Sequence, residues 1–301
     1  MNKMSEKLYE VLKRASLFLE KHNREARVAE ILLQHYLQLS RSQFFMNLRE
    51  LVPEHKLVQF EKDLLLHAET GIPVQHLTGY EMFYGREFHV NKDVLVPRPE
   101  TEELVQHAIS LMENKSNINI VDVGTGSGVI AITLALELPA GANVYAIDIS
   151  NDALAIAKRN AEKHQADVHF LQGDFLEPLI KEKKKVDLLI SNPPYIALEE
   201  ASEMADTVKN FDPRLALFAE EEGLAAYKRI VKQAREILNP DGRVAFEIGA
   251  KQREPVTNII LSAFPEADVE CLQDINGKDR IISAKMRLGQ MCLQKREKRT
   301  K

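Results

Sequence analysis

The chain has 301 residues, more than one typical domain, so a main unit and a smaller one are expected, each with its own core. With 45% apolar and 28% charged residues it is an ordinary globular composition, neither disordered nor fibrous. The net charge of −5 argues against a surface built to coat nucleic-acid phosphates, so no direct DNA binding is expected. Cys271 and Cys292 stand far apart, with no paired spacing that would suggest a disulfide framework or a metal site. Met1 to Lys7 lacks a signal-peptide core, and no run of about 18 apolar residues occurs, so a cytoplasmic chain off the membrane is expected.

In chain order, apolar residues recur at three- and four-residue spacing from Ser5 to about Thr70, as in Leu8, Val11, Leu12 and Ala15, which predicts several packed helices. Ser40 with Gln43 reads as a capping box, Pro53-Glu54 as a helix start and Gly71-Ile72-Pro73 as its end. Residues 1–75 are expected as a helical domain. Between 76 and 98 the period turns to β: Glu81 to Tyr84, a Gly85-Arg86 turn, Glu87 to Val90, then Val94 to Val96, read as a hairpin linker. Pro99 suits the first position of a helix to Met112, with Glu100, Glu102 and Glu103 in its first turn.

From Ile118 onward strands alternate with helices: strands at Ile118 to Val123, Asn143 to Ile147, Val168 to Gln172, Val186 to Ser191 and Arg243 to Ile248. The helices between them are expected at Val129 to Leu138, Asn151 to His164, Gly223 to Leu238 and Arg253 to Phe264. Such alternation makes parallel strands with right-handed crossovers. Val269 to Ile275 and Arg280 to Lys285 flank an Asn276-Gly277 turn, which predicts one antiparallel strand finishing the sheet. The expected fold is therefore α/β: a Rossmann-like, mostly parallel sheet over 99–288, behind a helical domain and a hairpin. Residues 289–301 form a basic tail without apolar periodicity, expected to be mobile.

Two stretches carry chemistry. Val123 runs into Gly124-Thr125-Gly126-Ser127-Gly128 and a helix begins at once, the strand, glycine loop and helix order of a nucleotide site. The glycine spacing differs from the dinucleotide pattern, which weighs against a nicotinamide enzyme. Asp148, at the end of the next strand, is placed to accept bonds from ribose hydroxyls, and Asp174 ends the following one beside Phe175, which could lie against adenine. With Asp122, three acids around a nucleoside favour a cationic sulfonium cofactor, S-adenosyl-L-methionine, over one bearing phosphates.

The second stretch is Asn192-Pro193-Pro194-Tyr195, at the end of the fourth parallel strand, where a doubly wound sheet opens its crevice. Chance would place this tetrapeptide in such a chain with odds on the order of one in a thousand. Two prolines stiffen the backbone and leave carbonyls free to accept. The Asn192 side-chain oxygen and the Pro193 carbonyl are read as acceptors for the two N–H bonds of a planar NH2, with Tyr195 packed flat against it. Both an amide and the exocyclic amine of a flipped base would suit such acceptors.

Together, Pro73 to Gly79, Phe83-Tyr84-Gly85, Val94 to Glu102 with its Pro97-Arg98-Pro99-Glu100-Thr101-Glu102 run, Asp122 to Gly128 and Asn192 to Tyr195 resemble the release-factor glutamine N5-methyltransferases, over almost the whole chain. The resemblance implies methylation of the glutamine in the Gly-Gly-Gln motif of class I peptide chain release factors, with the helical domain docking the factor. It implies cofactor contacts from Gly124 to Gly128, Asp148, Phe175 and Asn192, and places the glutamine against Asn192 to Tyr195, with Pro97, Arg98 and Glu100 lining the pocket. His76, Asp212 and Phe175 stand where the family often has tyrosine, glutamate and tryptophan. A monomer without metal is expected.

Overall fold

The computed structural model describes residues 6–113, 115–202, 204 and 206–287. The expected tail at 289–301 and Cys292 lie outside the described residues. The chain divides into two units, Met1–Tyr80 with Ala205–Phe211, and Glu81–Met204 with Asp212–Lys301. The division falls inside the first hairpin strand, so the hairpin expected as a linker groups instead with the sheet.

The first unit is helical: α1 (Leu8–Lys21), α2 (Arg27–Leu37), α3 (Arg41–Met46), α4 (Glu54–Thr70) and α5 (Val74–Thr78). Leu8, Val11, Ala15 and Leu19 fall on one stripe of α1 and are buried with Leu32 and Phe60 in a core of its own. Ser40 and Gln43 exchange the two bonds of the expected capping box, and Gly71 closes α4 in the left-handed region at φ 75°. Returning much later in sequence, the one-turn helix Asp206–Lys209 belongs to this unit, where Arg24 grips both oxygens of Asp206 at 2.8 Å.

In the second unit, β1 (Tyr80–Phe83) and β2 (Arg86–His89) form the hairpin. Its turn is Tyr84-Gly85, φ 50° and 73°, one residue earlier than the sequence suggests: the tight turn needs two successive left-handed residues. Val94 to Val96, expected as a strand, forms none; Val94 and Val96 are buried, with the Val94 N–H donating to the Asn91 carbonyl at 3.3 Å and the Val96 backbone bonded to Asp212.

The rest is a layered α/β structure. Its strands are β3 (Asn119–Val123), β4 (Asn143–Asp148), β5 (His169–Gln172), β6 (Val186–Ser191), β7 (Leu238–Glu247), β8 (Asp268–Gln273) and β9 (Asp279–Lys285). Its helices are α6 (Pro99–Met112), α7 (Val129–Glu137), α8 (Asn151–His164), α9 (Glu177–Lys181), the single-turn α10 (Asp206–Lys209, of the helical unit), α11 (Arg214–Leu217) and α12 (Glu220–Gly223), then α13 (Ala225–Ile237) and α14 (Arg253–Ala263). Sheet order is β5-β4-β3-β6-β7-β9-β8, with β9 running antiparallel to both β7 and β8. Helices cover both faces, which is why β3 and β6 are mostly apolar, Asp122 and Asp187 interrupting them. Val121 and Val123 pack with α13 and α14 through Tyr227, Ile230 and Ile260. Ile120 faces the other way, into Leu104 and Met112 of α6 and Ile132 of α7. Strand order reverses between β3 and β6, so the carboxyl ends of these two strands open the crevice. Among the described residues no helix is long and apolar enough to cross a membrane.

Candidate active site

The glycine loop leaves β3 at the crevice. Gly124, Gly126 and Gly128 all have positive φ, 73°, 55° and 84°. A Cβ on Gly128 would come within 2.9 Å of Ile132 Cδ1 and 3.1 Å of Ala157 Cβ, so helices α7 and α8 approach only because it has none. At Gly124 and Gly126 nothing lies within 4 Å of an added Cβ; these two face open space and are required by backbone conformation. The loop is tied at its base by Gly124 and Thr125 N–H groups donating to the Ile147 carbonyl at 2.8 and 3.0 Å.

The three acids of the sequence reading occupy three different environments. Asp122 is fully buried: one oxygen accepts from the Thr125 hydroxyl at 2.6 Å and the Ala131 N–H at 3.3 Å, and burial pushes its pKa up to about 7. It braces the loop from behind and does not face the crevice, which corrects the expectation of three acids around a nucleoside. Asp148 is half-buried and accepts from the Gly126 N–H and the Ser150 N–H, each at 2.9 Å. Asp174 pairs with Arg229, whose guanidinium also lies over the Phe175 ring, 4.9 Å from its centre. Thr125 and Ser127 are buried as whole residues, so Gly124 and Gly126 are the more open positions of the loop.

At the end of β6, the buried Ser191 hydroxyl donates to the Val123 carbonyl at 2.6 Å and locks the two strand ends together. Asn192 follows. Its Nδ2 donates to Thr101 Oγ1 at 3.2 Å, and the Thr101 hydroxyl donates to Glu247 Oε2 at 2.7 Å. Thr101 lies in the first turn of α6 and Glu247 ends β7, the strand beside β6. With its nitrogen committed to Thr101, the Asn192 amide has its oxygen left to accept.

The backbone after Asn192 is clamped from two sides. Gln252 Nε2 donates to the Tyr195 carbonyl at 2.9 Å, while its Oε1 accepts from Gly249 N–H at 3.1 Å. Gly223 comes so close that a Cβ there would sit 2.1 Å from the Tyr195 carbonyl oxygen. Ile196 then bridges to Phe218, through bonds from Ile196 N–H to Leu217 O and from Ala219 N–H to Ile196 O, both 3.0 Å. Burial and the nearby Glu247 charge push the Tyr195 hydroxyl up to about 12, so it stays protonated and is no base at neutral pH. Glu247 is itself pushed up to about 7 by burial, against the opposing pull of Thr101 and Arg280.

The Pro97-Arg98-Pro99-Glu100 segment enters the same region. Pro97 is buried, Pro99 takes the first helical position as expected, and Glu100 is close enough to Glu247 and Tyr195 to affect both. Arg98 is anchored on the buried Asp212 at 3.0 Å. Sequence reasoning gave no site role to Thr101, Glu247, Gln252 or Gly223. Thr101 stood only within the Pro97 to Glu102 run, Gly223 only as a helix start, and Glu247 only inside the Arg243 to Ile248 strand.

Residues 114–283 match the family described as "Methyltransferase domain", and residues 10–79 match the "PrmC N-terminal domain". A methyltransferase from Pyrococcus furiosus shares the fold, with a TM-score of 0.50 at 15% identity, covering 78% of this chain and 98% of that one. Fold and glycine loop thus define a methyltransferase. The chain is 47% identical over 281 residues to the release factor glutamine methyltransferase of Bacillus subtilis (92% of this chain, 97% of the relative). To that of Staphylococcus aureus it is 44% identical over 258 residues (85% and 91%). It belongs to the release factor glutamine methyltransferase family.

Proposed function

We propose that the protein transfers a methyl group from S-adenosyl-L-methionine to the side-chain amide nitrogen, N5, of the glutamine in the Gly-Gly-Gln motif of class I peptide chain release factors. The observation that carries the reading is the Asn192 amide, placed at the strand-order reversal next to the glycine loop, its nitrogen held by Thr101 and its oxygen left to accept. The cofactor fits the residues present: the loop is open at Gly124 and Gly126, and Asp148 stands at its rim to take ribose hydroxyls. Phe175 offers an apolar ring for the adenine, and Asp174 holds Arg229 over that ring.

When bound, S-adenosyl-L-methionine supplies an electrophilic methyl on a sulfonium. The chain supplies orientation. An amide nitrogen is a poor nucleophile because its lone pair is delocalised into the carbonyl. Asn192 Oδ1 and the Pro193 carbonyl accept its two N–H bonds, turning the lone pair toward the methyl. Both contacts strengthen as positive charge develops on nitrogen, which lowers the barrier selectively. Pro193 and Pro194 keep the acceptors rigid, and Tyr195, neutral throughout, packs against the carboxamide plane. The proton leaves after transfer, once the quaternised nitrogen has become acidic, and no dedicated base is needed. Pro97, Arg98 and Glu100 line the glutamine pocket, and the helical unit docks the factor. The protein works as a cytoplasmic monomer without binding DNA.

The test is a mass spectrum of the Gly-Gly-Gln peptide of purified release factor after incubation with cofactor. A methylated glutamine, absent when that glutamine is replaced, is expected; equal labelling of DNA or RNA would overturn the reading. Asn192→Ala should still bind S-adenosylhomocysteine, through the glycine loop and Asp148, and lose roughly 10²–10³-fold in kcat, the scale of one lost transition-state contact.

A further inference from the structure

The strand neighbouring the Asn192 strand ends in a carboxylate with almost no access to solvent, Glu247, 2% exposed. Nothing in the folding of an α/β sheet asks for it, since a buried carboxyl costs free energy that an apolar side chain of the same size would not. Its surroundings are specific. Oε2 takes the Thr101 hydroxyl at 2.7 Å, the same hydroxyl oxygen takes Asn192 Nδ2 at 3.2 Å, and the Asn192 side chain also bonds Glu247 directly, which acts to lower its pKa. The main chain at Glu247 is held separately, its carbonyl accepting from the Tyr227 hydroxyl at 2.7 Å. The charged and titratable groups facing the carboxylate are Arg280 from β9, Glu100 from α6, Tyr195 from the loop and Tyr227 from α13. Arg280 is fixed in place by Asp274 and the Ile248 carbonyl.

We propose that Thr101 and Glu247 are positioning residues that set which end of the Asn192 amide meets the substrate. The inference rests on the reading of Asn192 as an acceptor for the substrate NH2. An asparagine amide has nearly the same shape in its two flipped orientations, and only hydrogen bonding tells them apart. A flipped Asn192 would present NH2 to NH2, donor against donor, and would hold no amide substrate. The Thr101 hydroxyl has a single hydrogen. Because an ionised Glu247 can only accept, that hydrogen points to Glu247, and the hydroxyl lone pair is what remains for Asn192. Asn192 must then offer nitrogen inward and oxygen outward. The direction of donation is imposed from the buried carboxylate outward, through Thr101 and through the direct bond from Asn192, and it is imposed only while Glu247 carries its charge.

The experiment measures kcat and KM for release-factor methylation, cofactor affinity by calorimetry with S-adenosylhomocysteine, and melting temperature, in the full chain and in Thr101→Val, Thr101→Ser and Glu247→Gln. Thr101→Val keeps the shape and removes the hydroxyl; it is expected to lower kcat roughly 10–100-fold, the scale of a lost orienting hydrogen bond. KM for the factor and cofactor affinity should stay within about twofold, because protein docking and the glycine loop are untouched. Thr101→Ser should restore kcat to within about threefold of the parent. In the parent, kcat should fall as pH drops through about 7, where burial places Glu247, and Glu247→Gln should flatten that step. A folded, cofactor-binding Thr101→Val with parental kcat, or a pH profile of Glu247→Gln superimposable on the parent's, overturns the inference. A parent protein that leaves the release factor unmodified refutes the underlying reading as well, so the two failures are told apart.

Discussion

Asp122 illustrates how a single buried carboxyl links the site to stability. Its ordinary value is 3.8, and burial raises it to about 7 in the folded protein, against bonds from Thr125 and Ala131 that act in the opposite direction. A group whose folded pKa is raised contributes stability that is full below the unfolded value and lost as pH climbs to the folded one. Between about pH 4 and pH 7, therefore, this residue progressively lowers stability, and above pH 7 the loss is complete. Asp122→Asn, whose Oδ1 can still accept from Thr125 and Ala131, should melt like the parent near pH 4 and higher than the parent at pH 8. The difference should be about a few kcal/mol, an upper bound set by the size of the shift. Urea unfolding at the two pH values checks it, and an equal difference at both would refute the assignment. Asp122 was visible as a strand-end acid, but whether it faces a ligand or the protein depends on where α7 packs, and that is not written in its neighbours.

At the scale of elements, the Asn-Pro-Pro-Tyr segment is held by its prolines and also by Gly223 at the end of α12 and Gln252 just before α14. Gly223 combines a φ of 81° with a position where a Cβ would overlap the Tyr195 carbonyl oxygen at 2.1 Å. Gly223→Ala should displace the loop, costing about 1–3 kcal/mol from conformational strain and contact, and at least about tenfold in kcat. Gln252→Ala, which removes the clamp without strain, should lower kcat with a smaller loss of stability. Thermal melts with turnover on the release factor separate the two. The single-turn helices α11 and α12 had no counterpart in sequence, since one turn is too short to show a period and owes its form to the Ile196 to Phe218 bridge. The long elements were plain. The starts of α4 and α6 at Pro53 and Pro99 and the Ser40 capping box rest on contacts within four residues of the chain.

Across the whole molecule, each of the two units has its own buried cluster, and the cofactor residues lie in only one of them. A ligand that binds the folded sheet unit stabilises it by mass action, about 2.7 kcal/mol at a hundred times its Kd. Saturating S-adenosylhomocysteine should therefore slow amide hydrogen exchange in β3, the glycine loop and β4, and leave α1 and α4 unchanged. Protection spread equally over α1 and α4 would contradict a cofactor site confined to the sheet unit.

The sequence by itself determined the order of elements, the glycine loop, the acceptor motif at the end of β6 and the family, because each is a local pattern: strand, turn and cap chemistry act over a few residues. Tertiary structure decided which polar atoms look into the crevice. Asp122 turns inward, Asp174 is taken by Arg229, and Thr101 and Glu247, 146 positions apart, meet behind Asn192. The reason is that a hydrogen bond in a crevice depends on which strands lie side by side, and that neighbourhood exists only once the chain has folded.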